Sequence, residues 1–179
     1  MELKKKKDIS ILIDTLESQG LIVGKVGLWG RSLGGAIGLQ AIATEPRISY
    51  GIIESTFTDF ETIANDYFKQ YFNFSIRPLT NYLVHRAGKI ADFAPQDARP
   101  IHYCKSITQP ILLVHGNKDT KIDIKYGRLN YQALRQSKGK SFLEIENANH
   151  LNVWNVGGEA YFEKVWNYIT WQSLPNASL

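Results

Sequence analysis

One cysteine, Cys104, and one methionine stand in a chain of 179 residues. A lone thiol cannot close an intrachain disulfide, so no covalent staple shapes the fold; Cys104 reads as a packed thiol, and a reducing compartment, the cytoplasm, is the expected location. Equally absent is a run of the roughly 18 apolar residues that a membrane span needs. The lysines at 4–7 lead into an interrupted pattern carrying Asp14 and Glu17, which argues against a signal peptide. Charge of one sign is nowhere concentrated. Eleven basic residues face nine acidic ones up to position 90, and ten face eight beyond it, for a net charge of +4. The one basic block, Lys4 to Lys7, reads as a solvated helix end, and no recognition motif accompanies it, so nucleic acid is not an expected partner. The four histidines lack the close spacing of a ligand set, and neither a metal nor any other cofactor is expected.

The residues that are present divide by period. Ile9, Leu12, Ile13 and Leu16 recur at helical spacing and stop at Gly20, a residue suited to a left-handed C-cap. Lys25 to Trp29, Tyr50 to Ile53, Ile111 to His115 and Ser141 to Ile145 are short strand candidates. Helix-length segments separate them: 33–44, 123–135 and a last one carrying Phe162, Val165, Trp166 and Ile169. Continuous apolar runs separated in this way predict buried parallel strands. The fold class is therefore α/β: one domain over 1–179, with a mostly parallel sheet of about four strands flanked by helices. Gly34, Gly35 and Gly38 are costly inside a helix and imply close contact with neighbouring backbone. From Phe57 to Asp97 strand beginnings give way to aromatics, among them Phe60, Tyr67, Phe68, Tyr71, Phe72, Phe74 and Tyr82. That segment reads as a helical insertion over the carboxyl edge of the sheet, its aromatics either walling an apolar pocket or packing the insertion down.

Chemistry enters at Gly30-Arg31-Ser32-Leu33-Gly34, where an apolar run passes through a glycine-spaced serine into a helical pattern. A sharp strand-to-helix turn there would lift the Ser32 oxygen above the sheet. A serine hydroxyl is a weak nucleophile until a base takes its proton, and the base needs a third group to fix its ring. Asp119 follows the strand ending in His115, and His150 lies in the loop after the next strand; both leave strands at the same edge as Ser32. The order serine, aspartate, histidine is that of the α/β-hydrolase architecture. Asp123 reads as a helix cap, His115 as structural, and His85 and His102 as surface or packing residues. Arg31 could steer an anion or form a salt bridge.

With these segments the chain resembles the α/β-hydrolase superfamily, in particular serine aminopeptidases, prolyl-oligopeptidase-like and BEM46-like hydrolases. The similarity runs over about residues 8–171. It rests on Gly27 to Gly35, on Glu54-Ser55-Thr56-Phe57, on Gln109 to Asp119 and on Asn149-His150-Leu151-Asn152. It implies Ser32 as nucleophile, His150 as base, Asp119 as orienting acid and the Leu33 N–H as an oxyanion donor. The implied substrate is a small ester or a peptide, cleaved through an acyl-enzyme. Members of this group carry several strands before the helix that precedes the nucleophile strand, and a loop among them gives a second oxyanion N–H. Here 24 residues precede Lys25, so a truncated hydrolase domain is expected. Loss of one oxyanion bond costs about 3 kcal/mol at the transition state. The Lys25–Trp29 strand would lie at an edge, which invites a second copy or a companion chain to complete the sheet. A catalytically weak or inactive module, derived from the same fold and binding through that edge, is the alternative to an enzyme.

Overall fold

The computed structural model describes residues 2–73, 76–92 and 94–174, without the side chains of residues 2–7. The side chains of the Lys4–Lys7 block and the aromatic ring of Phe74 lie outside this set. Four strands, β1 (Val26–Arg31), β2 (Ile48–Glu54), β3 (Ile111–Gly116) and β4 (Ser141–Ile145), form a sheet of order β1-β2-β3-β4. Every pairing is parallel, as continuous apolar runs with helical crossovers require. The strands of the sequence reading are all present, although β1 and β2 run further than their apolar cores. Arg31 stays in register with Glu54, because a ladder is held by backbone groups and continues under a polar side chain.

Helices cover both faces. α1 (Glu2–Ser18), α2 (Leu33–Thr44), α5 (Pro100–Cys104) and α6 (Ile124–Ala133) lie along the chain between and before the strands. On their side Ile13, Leu39, Ile42, Ile53, Cys104, Ile107, Leu113 and Leu134 make one buried cluster. Burial of the Cys104 thiol pushes its pKa up to about 12, so it packs as a neutral apolar group. The opposite face is closed by α7 (Val153–Ser173), whose Val153, Tyr161 and Val165 pack on Ile52, Leu112, Val114 and Ile145. Each fully buried aliphatic side chain in these layers contributes about 1.5–3 kcal/mol.

Tight packing at α2 follows its small residues unevenly. A Cβ on Gly38 would stand 2.6 Å from Leu28 Cδ2, whereas one on Gly34 would meet nothing within 4 Å. The close approach expected of all three glycines thus holds for Gly35 and Gly38 and is mainly to side chains.

α1 ends at Gly20, which takes φ 66° while the Leu21 N–H reaches back to the Leu16 carbonyl at 2.9 Å. Its outer face is tied down by Arg47, which pairs with Asp14 at 2.6 Å, Glu17 at 2.8 Å and Glu45 at 2.8 Å. The Arg47 guanidinium holds the Glu45 carboxyl down at about 2 against its ordinary 4.5. A depressed carboxylate stabilises the fold above its unfolded pKa and loses that contribution as pH falls through the folded value. We therefore expect protection of α1 amides against hydrogen exchange to weaken between pH 4.5 and about 2, and less so in Arg47→Ala, where the linkage is gone from the start.

Among the described residues, helices α3 (Phe60–Phe72) and α4 (Arg77–Ile90) and a 3-10 turn at Pro95–Asp97 connect β2 to α5. Asp59 caps α3 by accepting from the Thr62 N–H at 2.8 Å. Asn65 of α3 donates to Asn81 of α4 at 2.9 Å, joining the pair. Among the described residues, no helix is long and apolar enough to cross a membrane.

Candidate active site

β1 runs into α2 through Ser32, which adopts φ 55°, ψ −120°. A non-glycine residue there carries about 1–3 kcal/mol of strain. Three bonds hold it. The Ser32 N–H donates to the Glu54 carbonyl at 2.9 Å, the Ser32 carbonyl accepts from the Ala36 N–H at 3.1 Å, and it also accepts from Thr56 Oγ1 at 2.8 Å. Gly30 is required by the same turn, since a Cβ on it would fall 2.5 Å from the Gly34 carbonyl oxygen.

The Ser32 hydroxyl lies 3.2 Å from His150 Nε2, and His150 Nδ1 lies 2.8 Å from Asp119 Oδ2. With a carboxylate at Nδ1, that nitrogen carries the proton and donates it; Nε2 is left with its lone pair toward serine. Asp119 is itself fixed, because its Oδ1 accepts from the N–H groups of Lys121 and Ile122, each at 2.9 Å. Burial alone would raise its pKa. The imidazoles of His115 and His150 and the Ile122 N–H outweigh that and hold the carboxyl well below the usual range.

The histidine loop is equally set by its neighbours. Asn149 and Asn152 bond reciprocally: the Asn149 N–H donates to Asn152 Oδ1 at 2.6 Å, and Asn149 Oδ1 accepts from Leu151 N–H at 2.9 Å and Asn152 N–H at 3.2 Å. Lys118 N–H donates to the Ala148 carbonyl at 2.8 Å, which joins the aspartate loop to the histidine loop.

Three residues far apart in sequence thus meet at the carboxyl ends of β1, β3 and β4. Leu33 opens α2, so its N–H is one of those a helix leaves without an intrahelical acceptor. Asp123 caps α6 through the Lys125 N–H at 2.8 Å, and His115 donates from Nε2 to the Ile122 carbonyl at 2.8 Å; both are structural, as their sequence context suggested. His85 pairs with Glu61 at 2.9 Å on a partly open surface, and His102 is exposed on α5. The Arg31 guanidinium carbon stands 5.8 Å from the Trp154 ring centroid, a cation–π placement that the sequence did not suggest.

The described aromatics between β2 and α5 include a packed group and an exposed one. Phe57, Phe60 and Tyr67 pack with Ala36, Ile63, Ile122 and Tyr126, next to the Asp119 loop. Burial, with the negative charge of Asp119 second, raises the Tyr67 phenol pKa. Tyr71, Phe72 and Tyr82 are exposed instead. Sequence reasoning assigned no role to Thr56 or Glu54, although both fall in a segment that carried the resemblance. What each touches is remote in the chain and leaves no local signal.

A four-stranded parallel sheet with helices on both faces, and a strained serine at a strand-to-helix turn, defines an α/β-hydrolase architecture. Residues 3–172 match the prolyl oligopeptidase family, and the chain belongs to it. It is similar to the Alpha/beta hydrolase domain-containing protein WAV2 of Arabidopsis thaliana, 26% identical over an alignment of 165 residues that covers 88% of this chain and 51% of that protein. Among solved structures, an esterase of Pyrococcus furiosus superposes with TM-score 0.71 at 15% identity, covering 91% of this chain and 59% of the esterase. The acylaminoacyl peptidase of Pyrococcus horikoshii superposes with TM-score 0.68 at 16% identity, over 94% of this chain and 28% of the peptidase. The chain spans about half the length of the curated relative it matches.

Proposed function

We propose that this chain carries the site of a serine hydrolase that cleaves an ester or a peptide/amide bond through an acyl-enzyme. One observation carries the reading: the continuous chain from Ser32 Oγ through His150 to Asp119, at 3.2 and 2.8 Å. Ser32 attacks the carbonyl carbon while His150 Nε2 takes its proton; Asp119 accepts from Nδ1 and stabilises the imidazolium. The Leu33 N–H, at the positive end of α2, donates to the oxygen on which charge develops. His150 then protonates the leaving group, and a water deprotonated by the same nitrogen releases the acyl group and restores Ser32. The proposed substrate is a small ester or peptide, in keeping with the esterase and peptidase among the similar structures. Release of the phenol from a short-chain aryl ester, lost on substitution of Ser32, tests the reading; equal release by the substituted protein overturns it. The single buried thiol fits a reducing compartment, and the cytoplasm is the location we propose.

A second reading draws on the edge position of β1, whose Trp29 is 45% exposed. In it the strand pairs with one more strand, from a second copy or a companion polypeptide, and the domain serves assembly. Size-exclusion chromatography with light scattering at micromolar concentration is expected to give a mass above the 20.3 kDa of one chain. A clean, stable monomer would count against self-pairing.

A further inference from the structure

Glu54 ends β2 with its side chain fully buried, at 0% exposure. A buried carboxylate is retained only where donors replace its water. Trp29 Nε1–H donates to Oε1 at 2.9 Å, Trp154 Nε1–H donates to Oε2 at 2.8 Å, and the Tyr161 hydroxyl donates to Oε1. Burial, and then this bond and the charge behind it, raise the Tyr161 phenol pKa.

The donors come from the two elements whose spacing the chemistry depends on. Trp29 lies on β1, three residues before Ser32. Trp154 lies in the first turn of α7, four residues after His150, and the Asn149–Asn152 bonds make that turn and the histidine loop one unit. Glu54 also reaches the elbow directly, because its own carbonyl accepts the Ser32 N–H. α7 is broken at Gly158, φ 52°. The turn bearing Trp154 therefore does not inherit its position from the long helical segment bearing Tyr161, and the carboxylate grips both sides of the break. Two indoles and a phenol all donating to one group require an acceptor with two free oxygens. An amide would turn an N–H against one of them.

We propose that the Glu54 carboxylate is a positioning residue of the hydrolase: by accepting from Trp29 and Trp154 at once, it sets the nucleophile strand and the histidine loop at the separation that keeps Ser32 Oγ within reach of His150 Nε2. The inference rests on the serine-hydrolase reading above. It differs from a purely structural role in acting on the bond-forming step and not on substrate affinity.

The test is phosphonylation of the full chain by an aryl fluorophosphonate, with binding and bond formation separated by varying its concentration. In Glu54→Gln the limiting rate is expected to fall about 10- to 100-fold, the loss that a misplacement near 1 Å produces, with the half-saturating concentration unchanged. Trp154→Phe keeps the ring packing at a half-exposed position and removes one donor, so it should show most of the same fall. The double variant should be no slower than Glu54→Gln, since both cut one linkage. A folded Glu54→Gln labelled at the unsubstituted rate, or two effects that multiply, would overturn the proposal. If Glu54→Gln does not fold, Trp154→Phe decides, and an unchanged rate there overturns it. If the unsubstituted chain is not labelled at all, the serine reading has failed, and the proton resonance of the His150 Nδ1–H becomes the readout. Its loss or shift in Trp154→Phe supports the placement role, and an unchanged signal refutes it.

Discussion

Ser32→Ala is expected to lower turnover of a short-chain aryl ester by a factor on the order of 10⁴ to 10⁶, to the residual that binding and oxyanion stabilisation give. The loss follows from the geometry. His150 Nε2 has its lone pair on the Ser32 hydroxyl at 3.2 Å, and without that hydroxyl there is no atom to form the acyl bond. Stability should not change. The position is strained at φ 55° for serine and alanine alike, and the bonds from the Ala36 N–H and the Thr56 hydroxyl to the residue 32 carbonyl survive the change. A fall in turnover with an unchanged melting temperature is therefore the signature; a parallel collapse of both would mean that the substitution acts through folding.

Asp119→Asn should cost about ten-thousandfold in kcat, with little change in KM. An amide in place of the carboxylate can present an N–H to His150 Nδ1, which forces the proton onto Nε2 and turns the base away from its task. Acid stability provides an independent check. Asp119 is held below the usual carboxylate range by its imidazole and backbone partners, although burial opposes this. Its contribution to stability is then fully present above the unfolded pKa of about 3.9 and is lost as pH falls below it. The unsubstituted chain should lose melting temperature faster than Asp119→Asn below about pH 4. Equal acid limbs would show that the carboxylate is not linked to folding.

How much of this was legible beforehand depends on what kind of signal each feature leaves. Strands announce themselves by apolar runs, and β4 is bounded correctly at Ser141–Ile145 because its flanks, Gly139-Lys140 and Glu146-Asn147, are polar and loop-like. The start of α7 was missed: Gly157 and Gly158 interrupt the pattern, and only the stripe from Phe162 onward keeps a clear period, yet the helix begins at Val153. Ser32, Asp119 and His150 could be named because each sits at a strand end, where topology alone decides which edge it occupies. The lone, packed Cys104 and the cap at Asp123 followed from local chemistry in the same way. Glu54 could not be assigned. Its partners are 25, 100 and 107 residues away, and only coordinates bring an indole of β1 and another of α7 onto one carboxylate. Nor did periodicity tell Phe60 and Tyr67, which pack beside the Asp119 loop, from Tyr71 and Tyr82, which face outward. Those two classes differ by where two neighbouring helices lie against the sheet.

Under the proposed function, a single activated serine stands at the carboxyl edge of this sheet. Incubation with a fluorophosphonate probe, followed by proteolysis and mass spectrometry, is the decisive experiment. One adduct is expected, on the peptide containing Ser32, and it disappears in His150→Ala although Ser32 remains. Labelling that persists unchanged in Ser32→Ala, or a Ser32 peptide left unmodified by the probe in the folded protein, would contradict it.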